Sequence, residues 1–212
     1  MLYREQDHHI FDQGRKLPLV EQFYTIQGEG FHMGKPAYFI RLGGCDIGCS
    51  WCDTKFSWNP AIHALTNVDE IVNRAADSQS GVAVVTGGEP LIYPLEYLTS
   101  ALHLAGLATH LETSGAYALT GTWDWICLSP KRNSPPKKEI FKLAQELKVI
   151  VQTEADLEWA ELNAGKVSEH CMLFLQPEWS AYDNILPVIV SYIKSNTKWS
   201  ISLQAHKFMK IP

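Results

Sequence analysis

Cys45, Cys49 and Cys52 place three thiols within eight residues, in the spacing CxxxCxxC. Thiolates are soft ligands suited to zinc or to an iron–sulfur cluster. Structural zinc wants four ligands in tetrahedral geometry, so a zinc reading needs Cys127, Cys171 or a histidine as the fourth. Cys127 and Cys171 lie inside the apolar stretches WDWICL and HCMLF, where a buried structural cysteine is the plainer reading. Neither belongs to a second CxxC pair. The competing reading is a 4Fe–4S cluster. Such clusters are normally held by four cysteines, so a triad leaves one iron open to an external ligand. That open position is a reason to expect chemistry.

Other short polar clusters punctuate the chain: QGEG at 27–30, TGGEP at 86–90, ETSG at 112–115, SPK at 129–131, QP at 176–177 and QAH at 204–206. Nearly all of them follow an apolar run. Pro36–Leu42 reads as a strand that runs into Gly43-Gly44-Cys45, and 45–65 reads as a long functional loop. Asn67 and Glu70 fit a capping box, followed by Val68, Ile71, Val72, Ala75 and Ala76 at helical spacing. Val82–Val85, Ala108–Leu111, Trp123–Leu128, Lys148–Val151, Met172–Leu175 and Trp199–Leu203 read as further strands. Pro94 suits the first turn of a helix with Leu98, Ala101, Leu102 and Ala105 as its stripe, stopped by Gly106. Ile140, Leu143, Ala144 and Leu147 mark another helix, 157–164 a short one, and Ile185, Val188, Ile189 and Tyr192 a last one capped near Asp183. Leu17–Ile26 carries mixed apolar and β-prone residues.

Strands alternating with helices imply right-handed crossovers and a parallel sheet, and short continuous apolar strands fit burial on both faces. Ligands of such folds sit at the carboxyl ends of the strands, so the polar clusters are expected to converge. The count is about seven strands and five or six helices in 212 residues, against roughly 250 residues for a closed eight-unit barrel. The expected fold class is therefore α/β, a partial, open (β/α) barrel with mostly parallel strands. It spans 17–212 as a single domain, after a polar extension at 1–16 with no assigned role.

Composition removes other classes. The formal charge is −5 and the pI about 5.9, so no global positive field recruits nucleic acid. Hydrophobic residues make up 46%, which excludes a largely disordered chain. No apolar run approaches the ~20 residues of a membrane helix, and the opening MLYREQDHHIFDQGRK lacks the apolar region of a secretory signal. The expected location is the cytoplasm, where an odd count of five cysteines argues against a disulfide framework.

CxxxCxxC after a strand, followed one strand later by GGEP, resembles the radical S-adenosylmethionine (SAM) superfamily. From about Leu19 onward the chain resembles, more narrowly, the 7-carboxy-7-deazaguanine synthase family. The residues that carry this are Phe23-Tyr24-Thr25-Ile26-Gln27-Gly28-Glu29-Gly30, Arg41-Leu42-Gly43-Gly44-Cys45, Cys52-Asp53-Thr54, Thr86-Gly87-Gly88-Glu89-Pro90, Glu112-Thr113-Ser114-Gly115, Ser129-Pro130-Lys131 and Gln204-Ala205-His206-Lys207.

The resemblance implies roles. Cys45, Cys49 and Cys52 would bind the 4Fe–4S cluster. Trp51, Cys52, Asp53, Gly88, Glu89, Ser114, Ser129, Pro130, Lys131 and Gln176 would contact SAM. Thr54 would ligate Mg²⁺, a hard cation that takes few protein ligands. Ile26, Gln27, Gly28, Glu29, Arg41, Thr86, His206 and the terminal Pro212 would contact substrate. Each has a plainer reading beside it: a loop plug for Trp51, a turn cap for Thr54, turn chemistry for the Gly-Gly and Ser-Pro pairs, a solvated strand end for Gln176, a salt-bridged strand arginine for Arg41, a frayed tail for Pro212. No side chain is assigned a catalytic proton transfer, because the cofactor carries the hard chemistry.

The implied substrate is 6-carboxy-5,6,7,8-tetrahydropterin. It would be converted to 7-carboxy-7-deazaguanine and ammonia by hydrogen abstraction at C6 and Mg²⁺-dependent ring contraction, in 7-deazapurine (queuosine) biosynthesis. The resemblance also implies an external one-electron donor such as flavodoxin, and a homodimer. Two other readings stand beside it. A glycyl-radical-activating enzyme shares CxxxCxxC but should lack the QGEG, Arg41 and Thr54 set. A non-catalytic metal-binding protein would need four metal ligands.

Overall fold

The computed structural model describes residues 11–212, so residues 1–10 of the expected extension lie outside the described residues. Nine strands are found among the described residues: β1 (Lys16–Ile26), β2 (Pro36–Leu42), β3 (Leu65–Asn67), β4 (Val82–Gly87), β5 (Ala108–Thr113), β6 (Trp125–Leu128), β7 (Glu146–Val151), β8 (Met172–Pro177) and β9 (Trp199–Ile201). The helices are α1 (Val68–Ala76), α2 (Glu96–Leu104), α3 (Ile140–Leu143), α4 (Ala155–Ala164), α5 (Tyr182–Ser195) and α6 (Ala205–Met209).

One sheet runs in the order β3-β1-β2-β4-β5-β6-β7-β8-β9. From β2 to β9 every pairing is parallel. The sheet does not close, which agrees with the open, mostly parallel barrel expected. Its first edge differs from that expectation. β1 pairs antiparallel with both β2 and β3, because the short 27–35 connection allows a hairpin but no crossover helix.

Side chains alternate across a strand, and here the two faces are chemically unlike. Ile40, Leu42, Ala83, Val85, Leu111, Ile126, Leu128, Leu147, Val149, Val151 and Leu175 join the large core beneath the helices. The opposite face carries Phe39, Arg41, Thr86, Glu112, Cys127, Lys148, Ile150 and Gln176, all of which line a cavity. Burial on both faces is therefore correct, but the second face is polar and not continuously apolar.

Four local expectations change. Asn67 sits at the N-cap of α1 without a side-chain capping bond; its backbone is already engaged in β3, opposite Lys16. Pro94 and Leu95 precede α2, so Pro94 lies outside its first turn. Asp183 lies in the first turn of α5, and its N-cap Ala181 offers no side-chain bond. The helix expected through Leu147 stops after one turn: Ala144 is extended at φ −71°, ψ 130°, and Leu147 is a core residue of β7. Inside the expected extension, Phe11 is 2% exposed and packs edge-on against Tyr93, with centroids 5.0 Å apart. Residues from Phe11 onward thus share the core.

Candidate functional site

The polar strand ends converge. Thr86–Glu89 at the end of β4, Thr113 and Ser114 at the end of β5, Ser129 and Lys131 after β6, Gln176–Ser180 at the end of β8, and Gln204 and His206 before and in α6 line a cavity of about 450 Å³. The 45–54 loop covers one side with Cys45, Cys49, Trp51, Cys52, Asp53 and Thr54, and Ile26–Glu29 covers another. The C-terminal residue, Pro212, also lines it. Every site residue named from the sequence borders this cavity except Pro130. That residue is buried between Ser129 and Lys131, which do line the cavity.

The three loop cysteines are half-buried and unpaired. Burial pushes the Cys45 thiol up to about 11. It raises Cys49 as well, against the opposing charge of Lys131. Burial thus favours the protonated form of Cys45 and Cys49, and a bound metal group would have to displace those protons. Among the described residues no three His, Cys, Asp or Glu side chains stand close enough to hold a single metal ion. Three thiols on one loop supply soft donors of the kind iron–sulfur clusters take. Cys127 lines the cavity floor beside Glu146, Lys148 and Glu112, and Cys171 is a core residue.

The loop is anchored from outside. Tyr117 donates its hydroxyl to Asp46 at 2.6 Å, and Tyr93 donates to the Gly43 carbonyl at 2.5 Å. Lys131 donates to the Ser129 carbonyl and hydroxyl, both at 2.7 Å, with its ammonium 5.5 Å over the Trp51 ring. Glu89 accepts from the Leu91 amide at 3.1 Å, the Thr113 hydroxyl at 2.6 Å, the Ser114 amide at 2.8 Å and the Ser114 hydroxyl. Four donors fill a carboxylate's acceptor sites. Glu89 and Ser114 therefore build the cavity wall between β4 and β5, and a ligand amine reaches that carboxylate only by sharing with them.

The floor is a chain of buried charge. Lys148, 6% exposed, pairs with Glu29 and stands 4.0 Å from Glu112. Burial opposes the Lys148 charge, but Glu29 and the other anions around it outweigh burial and hold its pKa well up. Burial likewise opposes the Glu29 charge, and Lys148 overcomes it and keeps Glu29 below the usual carboxylate value. Glu112 accepts from Gln27 at 3.0 Å and from Thr86 at 3.2 Å. Arg41 donates through Nε to Glu21 at 2.7 Å, leaving its two terminal amino groups without a hydrogen bond among the described residues.

Sequence spacing gives no role to Glu112, Lys148, Gln204 or the 178–180 turn, all of which line the cavity. The available signal was alternation. ELKVIV puts Glu146, Lys148 and Ile150 on one face, and ATHLET puts His110 and Glu112 on one face.

Behind Glu112 the rings of His32 and His110 lie 4.6 Å apart, against Trp125. Burial, helped by His32 and opposed by Asp124, pushes His110 from 6.5 down to about 4. Between those values the unfolded chain binds a proton that the folded one refuses, so stability is lost as pH falls through this window. The melting temperature is expected to drop on acidification from about pH 6.5 towards pH 4, and His110→Phe should flatten that slope. An equal slope in both proteins, read by thermal melts across the range, would remove His110 as its source.

No protein-family model matches the chain. Curated relatives do. A 7-carboxy-7-deazaguanine synthase of Flavobacterium psychrophilum is 52% identical over 201 residues, covering 95% of each chain. One of a Synechocystis species is 45% identical over 194 residues, covering 92% of this chain and 93% of that one. One of Escherichia coli K12 is 33% identical, covering 92% and 98%. The crystal structure of QueE from Escherichia coli superposes with a TM-score of 0.79 at 30% identity, over 96% of this chain and all of that one.

Proposed function

Since this chain belongs to the 7-carboxy-7-deazaguanine synthase family, we propose that its cavity holds SAM and 6-carboxy-5,6,7,8-tetrahydropterin side by side and yields 7-carboxy-7-deazaguanine and ammonia. The observation that carries this reading is one cavity joining a three-cysteine loop to a charged floor. When bound, a 4Fe–4S cluster with an open iron supplies the electron that splits SAM into methionine and the 5′-deoxyadenosyl radical that takes hydrogen from C6. Cys45, Cys49 and Cys52 would hold it.

The chain's own residues do the positioning. Trp51, Asp53, Gly88, Ser129, Lys131 and Gln176 frame the SAM side. On the pterin side, Gln27 and Thr86 orient the Glu112 carboxylate as an acceptor for the ring N–H and amino group. The free amino groups of Arg41 form a fork suited to a carboxylate. Ile26, Gly28, Glu29, His206 and Pro212 close the remaining wall. Gln27, Thr86 and Lys148 are themselves buried, which strengthens the interactions they make. An outside one-electron donor such as flavodoxin, a homodimer and a cytoplasmic site of action complete the proposal.

Thr54 is the proposed Mg²⁺ ligand. Its hydroxyl lines the cavity 3.5 Å from the Cys52 sulfur. A single neutral hydroxyl cannot hold Mg²⁺ alone, so substrate oxygens and waters must complete the shell. Thr54→Ala is expected to weaken activation by Mg²⁺ about tenfold or more, while iron content stays at the parent level. Full Mg²⁺ activation in that variant would remove Thr54 from the site.

The reading is tested anaerobically. The cluster is reconstituted; reductant, SAM, Mg²⁺ and the carboxypterin are added; product is followed by mass and ultraviolet absorbance. Pterin-dependent 7-carboxy-7-deazaguanine is expected. Cluster-loaded protein that cleaves SAM without consuming pterin would overturn the assignment.

A further inference from the structure

The cluster loop and the C-terminal tail are far apart in sequence and tied together in space. Gln204 donates through Nε2 to Glu29 Oε1 at 3.0 Å and to Asp53 Oδ2 at 3.2 Å. Lys207 donates to the same Asp53 oxygen at 2.8 Å and to Gln204 Oε1 at 3.0 Å. The Lys207 side chain is only 19% exposed, with its ammonium 4.7 Å over the Trp179 ring. Beside it, Phe208 packs on Trp179 and Tyr182 with centroids 5.4 and 5.5 Å away.

The tail is seated as well as tied. The Ala205 amide donates to the Gly28 carbonyl at 2.9 Å. Gly28 has no Cβ, and one placed there would fall 2.8 Å from the Cβ of His206. Lys210 then adopts the left-handed conformation, φ 56° and ψ 42°, and turns the chain back. Ile211 donates to the His206 carbonyl at 3.2 Å, and Pro212 ends on the cavity wall.

We propose that Gln204 and Lys207 form a clasp, closed on Asp53, that makes the docking of the C-terminal tail and the ordering of the cluster loop a single event. Lys207 is a positioning residue in this clasp. It does not border the cavity, but its partner Asp53 belongs to the cluster loop, and its own helix carries His206 and leads to Pro212. The shared Gln204 amide extends the tie through Glu29 to buried Lys148, and so to the cavity floor. Assigning SAM to the Asp53 side and pterin to the Glu29 and Pro212 side rests on the function proposed above; the clasp itself does not.

The test begins on protein without cluster or ligands, under anaerobic conditions, by amide hydrogen exchange. Lys207→Met keeps the alkyl stem over Trp179 and removes the charge. Exchange is expected to quicken about fivefold in both 45–54 and 205–212, the loss of one charge-assisted hydrogen bond of modest strength. Lys207→Arg is expected to restore both segments. Adding Asp53→Asn to Lys207→Met should quicken exchange by less than the two changes do separately, since both break the Lys207–Asp53 contact and only the Gln204 bond to Asp53 remains. Quickening of the tail alone, or of neither segment, would overturn the proposal.

In the cluster-loaded enzyme, Lys207→Met is expected to raise KM for SAM and for the carboxypterin together, each about fivefold, with iron content and kcat near the parent values. A fall in kcat with both KM values unchanged would also overturn it. Because the exchange measurement needs no substrate, it separates failure of the clasp from failure of the proposed reaction.

Discussion

Lys148→Met is expected to cost about 3–5 kcal/mol of folding stability, the usual penalty for removing one partner of a buried ion pair. Lys148 has few escapes from that penalty. It is 6% exposed and its partner Glu29 is 14% exposed, so water reaches the pair poorly. Glu112 stands 4.0 Å away on the other side, so the variant leaves two carboxylates facing each other. Gln204 remains as a donor to Glu29, but a neutral amide does not offset a charge. Urea denaturation of the cluster-free protein measures the loss.

The sign of the pH dependence separates this account from simple loss of packing. In the parent protein Glu29 is held below its ordinary value of 4.5 by Lys148, against burial. Its contribution to stability is therefore present above that value and is lost as pH falls through the lower folded value. Without Lys148 burial is opposed only by the smaller influences of His206 and the Gln204 amide, and the folded value moves up. The variant's deficit should then shrink on acidification, as Glu29 protonates, and grow towards neutrality. Lys148→Met combined with Glu29→Gln should recover much of the loss, since no charge is left unpaired at that position. A Lys148→Met penalty under about 1 kcal/mol, the level of an exposed pair, or one that does not vary with pH, would show that water screens the floor.

The part of the fold legible in sequence was the part written in local apolar pattern. Val82–Val85 and Met172–Leu175 needed only their own residues to be read as buried strands, and both are interior strands with a neighbour on each side. The same pattern misled at 140–147. Ile140, Leu143, Ala144 and Leu147 match the helical template, yet Leu147 belongs to β7, where pairing with β6 and β8 satisfies its backbone. Spacing cannot see that competition. The site divides in the same way. The cysteine loop and GGEP are contiguous and carry their chemistry locally. Lys148 finds Glu29 119 residues away, and Lys207 finds Asp53 154 residues away. Only the folded sheet and the returning tail make those pairs. Alternation within ELKVIV could have placed Lys148 on the cavity face; nothing in it could have named its partner.

Gly88→Ala is expected to lower activity by about 100-fold or more, the scale of an ångström-sized misplacement of reacting groups, through the cluster loop and not through SAM alone. The first glycine of GGEP's pair, Gly87, ends β4, and Gly88 follows at the point where the sheet meets the cysteine loop. The Gly88 amide donates to the Leu42 carbonyl at 2.9 Å and the Glu89 amide to the Gly44 carbonyl at 2.8 Å. These bonds press the two backbones together. A Cβ on Gly88 would fall 2.7 Å from the Cβ of Cys45 and closer still to the Gly44 carbonyl oxygen. Both neighbours are backbone or stiffly attached to it, so no rotamer change relieves the clash; the loop must move. Because Cys45 is the first of the three proposed cluster ligands, displacement there should appear as reduced iron and sulfide per chain after reconstitution. Leu42 and the helix-side core lie on the other face of the sheet, so the melting temperature of the cluster-free protein should change far less than it does in Lys148→Met. Parent-level iron content with weakened SAM binding would instead show that the glycine serves only the ligand's approach. Parent-level iron and parent-level activity together would mean that the loop yields freely and that the contact with Cys45 sets nothing.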